Sequence, residues 1–158
     1  LGVSPGDPGR DERLAALNRL RLRGESEAER RRLEALEAEL ERDFGCSRRL
    51  AVYGTLVPGR SNHYMVKDLV GEWLQGSVRG ALRDVGWGAV EGYPALVWEP
   101  DAAARVAVHL LISPELPRHW ERLDAFEGEG YLRILVPVEV DGGGIEVANL
   151  YAVRAFGK

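Results

Sequence analysis

Cysteine occurs once in the 158 residues, at Cys46, so no internal disulfide can form and nothing points to a cystine-stapled secreted fold. Histidine occurs only at His63, His109 and His119, and this scatter offers no metal-ligand spacing. Positive charge is not in excess: 21 Lys and Arg against 25 Asp and Glu leave a net charge of -4, which argues against nucleic acid or anionic membrane as a partner. No apolar run approaches the ~20 residues of a membrane span, and the first residues lack the basic-then-apolar layout of a secretion signal. The expectation is a cytoplasmic chain with no metal site, no membrane contact and no nucleic-acid partner.

What is present is ordinary globular material, 45% hydrophobic and 29% charged, enough for one domain with an appendage. Residues 1–9 are rich in Gly and Pro and read as a flexible lead-in. Residues 10–46 read as a helical extension. Leu14, Leu17 and Leu20 recur at helical spacing up to Gly24, and Ser26 with Glu29 forms a capping-box pattern that starts a second helix. Leu33, Leu36, Leu40 and Phe44 make its stripe, and Gly45 stands where a C-terminal cap belongs. So narrow a stripe must lean on the main domain, a second subunit or a partner, and a homodimer through these helices is one expectation. Arg30, Arg31 and Arg32 sit among glutamates as a salt-bridged face.

From residue 47 to 158 the pattern changes to short β-type runs. Leu50 to Leu56 is an apolar strand that stops at Tyr53-Gly54-Thr55-Leu56. Residues 62–66 suit a short helix or turn beneath that loop. Residues 72–82, with two glycines, suit a curved strand with bulges. Asp84 to Gly88 reads as a turn, and Tyr93 to Trp98 as a strand. Ala104 to Ile112 is a continuous apolar run expected to be buried on both faces. A helix capped by Ser113 and opened by Pro114 is expected to carry Leu116, Trp120, Leu123 and Phe126. Leu132 to Val140 and Ile145 to Val153 flank Asp141-Gly142-Gly143-Gly144 as a hairpin. The sum is an α+β fold, a small mixed sheet of roughly five or six strands that curves into a barrel, with flanking helices and the N-terminal helical hairpin.

Two features carry chemistry. A strand that breaks at Gly54 bares backbone N–H groups, fixed donors suited to an anion or a carbonyl oxygen. Glu127 ends a helix before Gly128, where the negative end of the helix dipole disfavours its ionisation. Walling by Phe126 and Tyr131 would raise its pKa further, towards the range of a general base and acid near neutral pH. Taken alone, a solvated helix-end glutamate is the commoner case.

Their company changes this. Val52-Tyr53-Gly54-Thr55-Leu56 with Gly59, Asn62 and His63 resembles the signature loop of the γ-glutamylcyclotransferase-like (AIG2-like) superfamily. Gly92 to Val97, then Leu123-Asp124-Ala125-Phe126-Glu127-Gly128 with Tyr131 and Arg133, and finally Leu150-Tyr151, follow in that family's order. The resemblance implies a small β-barrel with flanking helices and a cavity floored by the Tyr53–Leu56 loop. It also implies Glu127 as the catalytic group, with Tyr53, Gly54, Thr55, Leu56 and Tyr131 binding a small γ-glutamyl substrate and no cofactor required. The implied reaction is intramolecular aminolysis that releases 5-oxoproline and a free amine. The catalytically silent alternative is a relative acting as a binding or assembly module through its helical extension.

Some residues stand apart from that pattern. His109 occupies the strand where the family carries a Gly-Glu-Xaa-Tyr-type run, and reads either as a cavity-lining group or as a core histidine. Cys46 lies in no nucleophile motif and reads as a small buried residue. Trp73, Trp87, Trp98 and Trp120 could stack on a ligand, yet packing is the default for each, least firmly for Trp87 in its glycine-flanked turn.

Overall fold

The structure, a computed structural model, describes residues 7–83 and 95–154. Helix α1 (Pro8–Arg23) begins where Asp7 Oδ1 accepts the amide of Arg10 at 3.0 Å. Residues 7–9 therefore belong to a capped helix, a correction to the flexible lead-in, whose residues 1–6 lie outside the described ones. Helix α2 (Glu27–Phe44) opens with both halves of the capping box between Ser26 and Glu29 in place and closes at Gly45, φ 62°.

Six strands follow: β1 (Arg49–Val52), β2 (Glu72–Arg83), β3 (Ala95–Trp98), β4 (Arg105–Ile112), β5 (Tyr131–Val140) and β6 (Ile145–Val153). Their order is β3-β2-β4-β1-β6-β5, and β2 also pairs with β5 through Gly76↔Val140 and Ser77↔Glu139. Five strands thus close into a barrel and β3 hangs on β2 as the extra one. β1 runs parallel to β6 and every other pairing is antiparallel, so the barrel is mixed. Closure depends on Gly76, where a Cβ would stand 2.6 Å from the carbonyl oxygen of Glu139.

The expected bulges are absent from the β2–β4 ladder, which runs residue for residue from Glu72↔Ile112 to Arg79↔Arg105. β2 bends by changing partner instead: at Gly80 it leaves β4 for β3. β4 is buried on both faces only towards its C-terminal half, because Arg105 and Ala107 face solvent where no helix covers the sheet. The single helix expected after Ser113 is two pieces, a 3-10 turn over Leu116–Arg118 and helix α3 (Trp120–Glu127). Pro117 has no N–H to give an α-helical ladder, and Ser113 Oγ accepts the amide of Glu115 at 3.1 Å.

Val78, Val108, Leu110, Ile134, Val136 and Leu150 fill the barrel interior. Leu116, Trp120 and Leu123 cover Leu50, Val52 and Leu111 on one outer face. The hairpin stripe is covered by its own chain: Leu14, Leu17, Leu40 and Cys46 pack on Leu135 of β5 and Val147 of β6. α1 also satisfies part of the β5 backbone that no strand pairs. Asn18 Nδ2 donates to the carbonyl of Leu135 at 3.0 Å, and the amide of Leu135 donates to Asn18 Oδ1 at 2.8 Å. A side-chain amide here replaces a neighbouring strand and shields an open sheet edge.

Candidate active site

The end of β1, the end of α3, the start of β5 and the end of β6 meet around one cluster of polar side chains. β1 delivers the Tyr53–Leu56 loop. The Tyr53 hydroxyl donates to the carbonyl of Tyr151 at 2.9 Å and accepts the amide of Leu96 at 3.2 Å. That phenol, expected to meet substrate, is thus committed to the backbone, and burial first, then neighbouring Tyr131 and Glu127, pushes its pKa to about 12. Asn62 pins the loop from outside by donating to the Thr55 hydroxyl and the Thr55 carbonyl, both at 2.9 Å. His63 Nδ1 bonds the Leu56 carbonyl at 2.9 Å, with its ring against Trp73 at 5.3 Å between centroids.

Those bonds use the loop's carbonyls and none of its N–H donors. The N–H groups of Gly54, Thr55 and Leu56 donate to no acceptor among the described residues. Gly54 is not in the left-handed region, and among the described residues a Cβ on it would meet nothing within 4 Å. Leu56 turns its side chain into the core.

α3 ends at Glu127, whose carboxyl is lifted to about 7 by burial first and by the charge of Asp124 second. Phe126, expected to help wall it, is 37% exposed and stands at the rim. Asp124, one helical turn back, is held by three hydrogen bonds from two residues. Tyr151 Oη donates to its Oδ1 at 2.6 Å, and Arg133 grips it through Nε at 2.9 Å and Nη2 at 3.3 Å. Arg133 also lies over the Trp120 ring at 4.4 Å. Tyr151 resists ionisation strongly, by burial and by its bond to Asp124. The paired carboxylates therefore divide the work: Asp124 is salt-bridged into the frame, while Glu127 has no salt-bridge partner among the described residues and keeps a proton affinity near neutrality. Tyr131 opens β5 beside them and acts electrostatically on Tyr53.

Sequence reasoning assigned no role to Asp124, Arg133 or Tyr151. The spacing of Asp124 and Glu127, three apart on one helix, was the available signal. Other candidates stand elsewhere. His109 points outward, since Val108 and Leu110 on either side fill the barrel; it lines a hollow with Gln75, Ser77 and Ala107. His119 lies on the outer surface of α3's start, bonded by Arg122 at 3.2 Å. Cys46 is buried and its thiol is pushed up to about 11 by burial and by Glu41. Trp87 and Tyr93-Pro94 lie outside the described residues, as does the turn at 84–88. Among the described residues, no three of His, Cys, Asp and Glu gather to hold a metal ion, and no helix is long and apolar enough to cross a membrane.

A family model described as gamma-glutamyl cyclotransferase, AIG2-like, matches residues 50–156. Among solved structures, YkqA from Bacillus subtilis is 28% identical with a TM-score of 0.52, covering 66% of this chain. The chain spans 35% of YkqA's own length. An AIG2-like protein from Mus musculus is 22% identical, TM-score 0.51, over 66% of this chain and 76% of its own. A protein from Arabidopsis thaliana is 17% identical, TM-score 0.51, over 70% of this chain and 64% of its own. At such identities the last two speak to the fold alone. No curated protein sequence matches the chain.

Proposed function

Since the chain belongs to the gamma-glutamyl cyclotransferase, AIG2-like family, we propose that it cyclises a γ-glutamyl compound to 5-oxoproline and releases the amine that had been bound at the γ-carbonyl. The observation that carries this reading is Glu127: a half-buried carboxyl lifted to about 7, near a loop with three N–H donors that meet no acceptor, and a Gly54 that meets no neighbour, among the described residues.

The chemistry needs little more. The substrate's α-ammonium loses a proton to the Glu127 carboxylate, and the freed nitrogen attacks the γ-carbonyl carbon. The carbonyl oxygen becomes an oxyanion, which the N–H groups of Gly54, Thr55 and Leu56 are suited to stabilise; the α-carboxylate is the competing occupant of the same donors. The new C–N bond closes the five-membered lactam. The nitrogen gives up its second proton, the amine nitrogen takes one as the old C–N bond breaks, and it takes another to leave as an ammonium. Two protons pass from one nitrogen to the other, and a single carboxylate poised near neutrality can carry both. Nucleophile and electrophile belong to one molecule, so holding the folded conformer is the protein's main task, and such proximity contributes ~7–11 kcal/mol in favourable cases.

The test is 5-oxoproline release from a panel of γ-glutamyl amines and γ-glutamyl amino acids, with Glu127→Gln as the comparison. The native chain should turn over at least one of them and the variant should lose about two to four orders of magnitude. No turnover of any panel member, or equal rates, would remove this reading and leave the assembly-module alternative.

A further inference from the structure

The hairpin lies outside the matched residues, yet one of its side chains reaches the site. Arg21 of α1 donates through Nη1 to Asn149 Oδ1 and to the carbonyl of Arg133, each at 3.0 Å. From the other side, Glu37 of α2 accepts its Nε and Nη2 at 2.9 and 2.8 Å. Asn149 is 1% exposed, and its Nδ2 is fixed on the Cys46 carbonyl at 2.8 Å, so its amide cannot turn. Its Oδ1 accepts a second guanidinium, Arg133 Nη1 at 3.0 Å, and Arg133 is the residue that clamps Asp124.

Two guanidinium groups meeting on one amide oxygen repel each other unless each is neutralised from behind. Glu37 does so for Arg21 and Asp124 does so for Arg133. The run Glu37, Arg21, Asn149, Arg133, Asp124 therefore forms a continuous alternating network from the appended helices to the helix that carries Glu127. Resting on the cyclotransferase reading above, we propose that Arg21 is a positioning residue of the active site, holding Arg133 and through it the Asp124 carboxylate in place beside Glu127.

Among the described residues, Asp124 on its own helix is the charge that raises Glu127, Tyr53 after β1 and Tyr151 of β6 feel the Glu127 charge in turn, Arg133 of β5 pairs with Asp124, and Tyr131 of β5 acts on Tyr53. Without Arg21, the carbonyl of Arg133 and the oxygen of Asn149 each lose a donor, Arg133 is held less firmly on Asp124 and the Asp124 charge is less balanced, which disfavours a second negative charge at Glu127. The experiment is a carbon-detected NMR titration of the Glu127 carboxyl in the full chain, native and Arg21→Met, alongside kcat and KM for 5-oxoproline release. The Glu127 midpoint should rise by about half a pH unit in Arg21→Met. In an Asp124→Asn background the same substitution should have no such effect, because the coupling passes through that carboxylate.

An unmoved midpoint in folded Arg21→Met, or an equal shift with Asp124→Asn, overturns the proposal. If Arg21→Met does not stay folded, Arg21→Lys carries the test. Lysine keeps the charge but cannot fork to Asn149, Arg133 and Glu37 together, and a native midpoint there overturns the proposal as well. The titration needs no turnover. A native chain that releases no 5-oxoproline counts against the proposed reaction, whereas an unshifted midpoint counts against Arg21.

Discussion

The hydroxyl of Tyr53 donates to the carbonyl of Tyr151 at 2.9 Å while accepting the amide of Leu96 at 3.2 Å, so one phenol ties the loop after β1 to both β6 and β3. The site's donors are held open by that knot. Tyr53→Phe keeps the ring and leaves a buried carbonyl and an amide without their partner. The expected cost is about 1–3 kcal/mol of stability by denaturant unfolding, with a raised KM as the loop loosens. An unchanged unfolding midpoint would mean that the bond contributes nothing.

Glu127 predicts opposite responses of rate and stability to pH. Its carboxyl is lifted from 4.5 to about 7, so kcat/KM should climb as pH passes through 7 and the base form appears. Stability runs the other way. The folded chain holds this proton more tightly than the unfolded one, so the contribution is full below about 4.5 and is lost as pH rises through 7. Its size is at most about 3 kcal/mol. Glu127→Gln should therefore melt higher than the native chain at pH 8 and close to it at pH 4. Equal melting differences at both pH values would contradict the assigned environment.

Gly54→Ala separates binding from folding. The backbone there is not left-handed, and a Cβ meets nothing within 4 Å among the described residues, so the melting temperature should hold. The methyl group points into the space proposed for substrate, and KM should rise at least several-fold. A destabilised variant, or native KM, would show that the space is not the binding site.

Asn18→Leu tests the hairpin's grip on the barrel. It leaves the amide and carbonyl of Leu135 unpaired at a buried edge, at an expected cost of about 1–3 kcal/mol. Hydrogen exchange at the Leu135 amide should quicken. Protection equal to the native chain would mean that another group covers that edge.

Local chemistry legible in the sequence included the capping box at Ser26, the stop at Gly45, the strand ending at Tyr53 and the helix ending at Glu127. Each depends on neighbours within a few residues, so each survives translation from string to structure. The helix after Ser113 was misjudged because Pro117, three residues past Pro114, forbids the hydrogen bond that a continuous helix needs. The two-sided burial of β4 failed at Arg105 and Ala107 because burial depends on which strand face a distant helix covers.

Sequence alone was enough for the barrel class, the Gly54 loop and the candidacy of Glu127, since strand periodicity, glycine breaks and motif order are written along the chain. Only the tertiary structure decided that Tyr53 serves the frame, that Asp124 is clamped by Arg133 and Tyr151, and that Arg21 reaches Asn149 from 128 positions away. Those are contacts between segments, and the environment that lifts Glu127 is made where α3 packs on the outside of the barrel and brings Asp124 beside it.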